Sequence, residues 1–127
     1  MTIPQTLKTQ VGGDHYKKYK KQPLEFAEKL GLTPTIFCAF KYLTRFKDKG
    51  KPDEDIGKCL HCIDIFVEIG ETKQLVCSDD ELFEFLGQFE KLHAGSISLL
   101  LVLQNDKTMA DYVKENVRAL LEDYKNE

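Results

Sequence analysis

The chain has 127 residues, 42% of them hydrophobic and 31% charged, which predicts one soluble globular domain large enough for a real core. Thr2 to Lys21 is polar and lysine-rich, unlike a signal peptide, and the most apolar run, Ile97 to Leu103, is interrupted by Ser98. That run falls well short of the roughly 20 residues of a membrane helix, so a cytosolic protein with no membrane association is expected. The net charge of −3 hides an asymmetry: residues 1–51 carry 11 Lys/Arg against 4 Asp/Glu, a net +7, and residues 52–127 carry 7 against 17, a net −10. Such a division predicts an anionic partner for the first half.

Residues 1–21 lack apolar periodicity and read as a basic arm ending in Lys17, Lys18, Lys20 and Lys21. Gln22-Pro23 opens the first helix, because proline suits the first helical position. Its apolar face is Leu24, Phe26, Ala27 and Leu30, with Gly31 placed to end it. Thr33-Pro34 starts a second helix, whose period through Ile36, Phe37, Phe40, Leu43 and Phe46 or Lys47 extends to Gly50. Pro52-Asp53 begins a third, with Ile56, Cys59, Leu60, Ile63, Phe66 and Val67 facing inward, up to Gly70. Ser78-x-x-Glu81 is a capping-box pattern ahead of Leu82, Phe83, Phe85, Leu86 and Phe89. An apolar helix over about Ser96 to Gln104 is hydrophobic nearly all round, and so is central in the bundle or buried at a subunit contact. Thr108-x-x-Asp111 caps a last amphipathic helix carrying Met109, Tyr112, Val113, Val117, Leu120, Leu121 and Tyr124. Only Gln74 to Cys77 is weakly strand-like. The prediction is an all-α, compact bundle of five or six helices behind a basic N-terminal arm, forming a single domain.

Four cysteines, Cys38, Cys59, Cys62 and Cys77, suit reduced thiols. Cys59-x-x-Cys62 has no second ligand pair at similar spacing, so no zinc is expected and core packing explains it better.

Three features carry chemistry. Lys41, Arg45 and Lys49 recur every four residues and so share one helix face. Their step of roughly 6 Å suits neighbouring phosphates. Tyr42 lies beside the row, and Lys58 faces the same groove if the second and third helices form an antiparallel hairpin around Gly50-Lys51-Pro52. Asp53 and Asp55 open the third helix, where they either hold Mg²⁺ with nucleotide oxygens or complement the helix dipole. Gly12-Gly13-Asp14-His15-Tyr16 lets two backbone N–H groups approach an anion; His15 is placed to donate to phosphate or act as acid/base, and Tyr16 to stack on a base. A P-loop is absent, since Pro52 replaces the hydroxyl residue after Gly50-Lys51. A rival pattern is Glu25-x-x-Glu28 with Asp64-x-x-x-Glu68, two acidic pairs able to bind Mg²⁺ and activate water if their helices pack together. This is similar to the all-α nucleotide pyrophosphohydrolases, although the second pair has the wrong spacing.

Together, Gly12-Gly13-Asp14-His15-Tyr16, Gln22-Pro23, Lys41-Tyr42-Leu43-Thr44-Arg45, Lys49-Gly50, Asp53-Glu54-Asp55 and Lys58-Cys59-Leu60-His61-Cys62-Ile63 resemble a family of small bacteriophage proteins often labelled phage nucleotide kinases. The resemblance covers about residues 11–68, and Cys62 departs from the family's aromatic. The acidic half, residues 71–127, has no recognised counterpart. The resemblance implies a cytoplasmic protein of an infected bacterial host, acting on deoxynucleoside monophosphates without a P-loop. Lys41, Arg45 and Lys58 would then clamp phosphates, His15 and Tyr16 would close over the nucleotide, and Asp55 would assist Mg²⁺ supplied with ATP. Gly12, Gly13, Gln22, Tyr42 and Lys49 complete the expected binding set. Alternatives are a non-enzymatic binder that sequesters a nucleotide, such as a host defence signal, and the Mg²⁺-dependent pyrophosphohydrolase. Nucleic acid is disfavoured because the acidic half would repel a long polyanion. The apolar Ile97–Leu103 run also suggests a homo-oligomer.

Overall fold

Proline at the first helical position starts three consecutive helices in the computed structural model, which describes residues 22–127. These are α1 (Pro23–Leu30), α2 (Pro34–Arg45) and α3 (Pro52–Ile69). The chain continues through α4 (Asp79–Leu86), α5 (Lys91–Leu103), a single 3₁₀ turn (Lys107–Met109) and α6 (Ala110–Lys125). The fold is a compact all-α bundle, and the described residues contain no strand.

Local chemistry sets most of these boundaries. Gly31 ends α1 in the left-handed conformation at φ +69°, which costs glycine no Cβ clash. The Ser78 side chain accepts from the Glu81 N–H at 3.2 Å to open α4. The Gly70 N–H closes α3 by donating to the Phe66 carbonyl at 2.8 Å. A Cβ at Gly70 would lie 2.5 Å from Phe66 Cδ1 and 2.8 Å from the Phe66 oxygen. Phe66 is fully buried and has no room to yield. Gly70→Ala is therefore expected to destabilise the fold by about 1–3 kcal/mol, measurable as a lower urea midpoint at unchanged slope.

Four boundaries differ from the sequence reading. α2 stops at Arg45 instead of running to Gly50, because the chain tightens into a turn in which the Asp48 N–H donates to the Arg45 carbonyl at 2.8 Å. Gly50 then takes φ +73° and reverses direction toward Pro52. α5 begins at Lys91, a full turn before Ser96. Gln74 to Cys77 is not a strand; the Val76 N–H donates to the Leu30 carbonyl at 2.9 Å within an irregular segment. Finally, Asp106 and not Thr108 opens the last helical region, its carboxylate accepting from the Thr108 N–H at 3.0 Å.

The core joins the six helices of the described residues around an aromatic centre. Phe26 of α1 stacks on Phe85 of α4 with centroids 4.1 Å apart, and Phe85 reaches Phe40 of α2 at 5.8 Å. α2 packs most extensively on α3, while α6 lies against α3 and α5. Ile97, Leu100, Leu101 and Leu103 of α5 are buried, whereas Val102 is 46% exposed, so most of the apolar run packs inside one copy of the chain. Cys59 belongs to this interior, and burial pushes its thiol pKa far up. No described helix is long and apolar enough to cross a membrane.

Candidate functional site

The short turn between α2 and α3 forces them into a hairpin with a simple register. Three pairs equidistant from Gly50 meet across the hairpin: Arg45 with Asp55, Tyr42 with Lys58, and Cys38 with Cys62. Arg45 Nη2 lies 3.4 Å from Asp55 Oδ1. Asp55 is only 4% exposed, and its second oxygen, Oδ2, is buried without a hydrogen-bond partner among the described residues. Carboxylates this buried are rarely left unpaired, so Arg45 is the anchor that makes Asp55 tolerable.

Tyr42 collects cations from both helices. Lys41 Nζ and Arg45 Cζ each lie 4.8 Å from its ring centroid, and Lys58 Nζ lies 5.5 Å away. All three distances are within cation–π range. Glu54 sits beside this group, 3.2 Å from Lys58 and 3.9 Å from Lys51. Its bond to Lys58 holds the Glu54 carboxyl below its ordinary pKa, and Glu54 raises Lys58 in return. Lys41, Arg45, Lys51 and Lys58 against Glu54 and Asp55 leave this face of the hairpin net positive. The arrangement can receive a small polyanion, with the tyrosine holding the ammonium and guanidinium groups close together.

The predicted residues distribute as follows. Lys41, Tyr42, Arg45, Lys58 and Asp55 converge. Lys49 does not join them, because it lies in the turn beyond the end of α2 and the expected four-residue row stops at Arg45. Lys58, arriving from α3, supplies the third cation. Asp53 points elsewhere, with its carboxylate 3.0 Å from Lys125 Nζ of α6. Residues two apart on a helix do not share a face, so Asp53 and Asp55 form no common carboxylate pair. Gln22 is buried at the start of α1, grouped with Glu25, Phe26, Lys29 and Glu81. Gly12, Gly13, His15 and Tyr16 lie outside the described residues.

The rival acidic pairs do not assemble as that reading requires. α1 packs on α2, whereas α3 packs on α2 and α6, and Asp64 is engaged by Lys114 at 2.7 Å. A different carboxylate group, Glu90, Asp123 and Glu127, has oxygens within 4.8 Å of one another, but all three residues are exposed. Glu90 also meets Lys47 at 3.5 Å.

Sequence reading missed Glu54 and the facing of Cys38 with Cys62. Counting outward from Gly50 would have found the cysteines, and the four-residue spacing of Glu54 and Lys58 on one helix would have found the glutamate. Comparisons with protein families, with curated proteins and with solved structures return no match for this chain.

Proposed function

We propose that the chain binds the phosphates of a nucleotide on the α2–α3 hairpin, and that its activity is phosphoryl transfer to deoxynucleoside monophosphates. The observation that carries this reading is the meeting of Lys41, Arg45 and Lys58 around Tyr42. Three cations held by one ring from two helices keep a high positive density that a solvated face would disperse. Phosphoryl transfer asks mainly for positioning and charge stabilisation of phosphate oxygens, which is what such a cluster supplies. Lys58 gives its ammonium to Glu54 at rest; an incoming phosphate would compete for it. Asp55 orients the Arg45 guanidinium toward the ring. Neither carboxylate expected to assist Mg²⁺ offers an open ligand, since Asp55 is enclosed with Arg45 and Asp53 is held by Lys125, so the ion would be held chiefly by phosphate oxygens and water. The resemblance to phage nucleotide kinases supports the same choice of substrate.

Titration calorimetry with nucleoside mono-, di- and triphosphates, with and without Mg²⁺, tests binding. Lys41→Gln and Lys58→Gln are each expected to weaken it roughly tenfold, as loss of one charge-assisted contact does. Lys114→Gln, on the Asp64 pair, should leave it unchanged. Failure of every nucleotide to bind would remove the reading entirely. A coupled assay with ATP and Mg²⁺ then separates the kinase from simple sequestration, because a sequestering protein returns the bound nucleotide intact.

A further inference from the structure

The hairpin register that builds the cationic group also sets two thiols opposite each other, twelve positions either side of Gly50. Cys38 comes from α2 and Cys62 from α3, the two helices with the most extensive mutual packing. Both are free and half-buried, so small reagents can reach them, whereas Cys59 is buried in the core. Their side chains interact across the hairpin; burial and then Cys38 raise the Cys62 thiol above its ordinary pKa, with Lys41 opposing them from the neighbouring turn. A cysteine pair whose side chains meet across two closely packed helices is the arrangement from which a disulfide can close, once the Cα atoms come within about 7 Å. Cys59 and Cys62, by contrast, share one continuous helix, and the first of them is enclosed.

We propose that Cys38 and Cys62 are a reversible oxidation site, closing to a disulfide that staples α2 to α3 beside Lys41 and Tyr42. The oxidant is a low-molecular-weight disulfide. The thiolate of one cysteine attacks it, forming a mixed disulfide and releasing one thiol. The second cysteine, losing its proton, then attacks the protein sulfur of that mixed disulfide and expels the other small thiol. The protein dithiol is thereby oxidised by two electrons, and one disulfide reagent is reduced to two thiols. This inference rests on the hairpin geometry and does not depend on the phosphate reading.

The test is exposure of the full chain to excess oxidised glutathione, followed by tryptic digestion without reductant. The expected product joins the peptide of residues 30–41, which holds Cys38, to that of residues 59–73, which holds Cys59 and Cys62. The intact chain should lose the mass of two hydrogen atoms, gain thermal stability and recover both properties with dithiothreitol. The cross-link should persist in Cys59→Ala and vanish in Cys38→Ser and Cys62→Ser. A Cys59–Cys62 bond, an intermolecular bond through Cys77, or four free thiols in a chain whose circular dichroism stays helical would each overturn the proposal.

Discussion

Gln104→Leu is expected to cost about 3 kcal/mol of folding stability, because three part-buried backbone groups each lose a hydrogen bond worth roughly 1 kcal/mol net. Gln104 is fully buried where α5 ends. Its Oε1 accepts from the Thr33 N–H at 2.8 Å, and its Nε2 donates to the Gly31 and Lys73 carbonyls, both at 3.2 Å. Its own backbone carbonyl accepts from the Lys73 N–H at 3.0 Å. One amide therefore satisfies the α1–α2 connection and the irregular segment after α3, neither of which has a sheet or helix to supply partners. Leucine matches the volume and supplies none of these bonds. The urea midpoint should fall by roughly 1.5 M with little change in slope. Gln104→Glu keeps the acceptor for Thr33 but sets a carboxylate against two carbonyls, so its loss should be large at neutral pH and smaller in acid. A leucine variant within about 1 kcal/mol of the parent would show that water takes over the three contacts.

The second large effect is a loss of stability in acid that traces to His93. This residue of α5 is 3% exposed, lies between the rings of Phe46 and Phe89, and meets the Leu43 carbonyl through Nε2 at 2.6 Å. Leu43 lies in the last turn of α2, where carbonyls have no helical partner, so the neutral ring acts as a side-chain cap by donating from Nε2. Burial drives its pKa from 6.5 down to about 4, opposed by the Leu43 bond. The folded state then holds fewer protons than the unfolded state between those two values. Its contribution is fully present above pH 6.5 and is lost as pH falls toward 4. The difference corresponds to about 3 kcal/mol. His93→Gln keeps a donor at the position of Nε2 and cannot titrate. Denaturant melts of both proteins from neutral pH to acid should show the parent losing this increment and the variant retaining it; parallel curves would remove His93 as the cause.

How far the residues alone disclosed the molecule depends on how local each signal is. The prolines at 23, 34 and 52 fixed three helix starts because a ring that presets φ acts on its own residue. Gly31 and Ser78 were readable for the same reason. The end of α2 was not: Phe46 continues the apolar period and is buried, yet it sits in the turn, so its burial extended the pattern beyond the helix. Asp106 escaped notice because Thr108-x-x-Asp111 offered a competing cap of equal local merit. In the site, Lys41, Tyr42 and Arg45 were legible from spacing on one helix. Lys58 depended on the α2–α3 register, which the position of Gly50 suggests and only packing enforces.

Composition, turn chemistry and the helical period determined by themselves that this chain forms an all-α bundle, where its first three helices begin, and that its first half is the cationic one. Those properties reside in single residues or in neighbours within a turn or two. Tertiary structure alone decided that Lys58 replaces Lys49 beside Tyr42, that Asp53 turns to Lys125, and that Gln104 and His93 hold distant backbone in place. Each of these joins groups far apart in sequence. Such pairings are selected by the burial of α5 and the closure of the α2–α3 hairpin, which bring backbone and charge together only when the whole core forms.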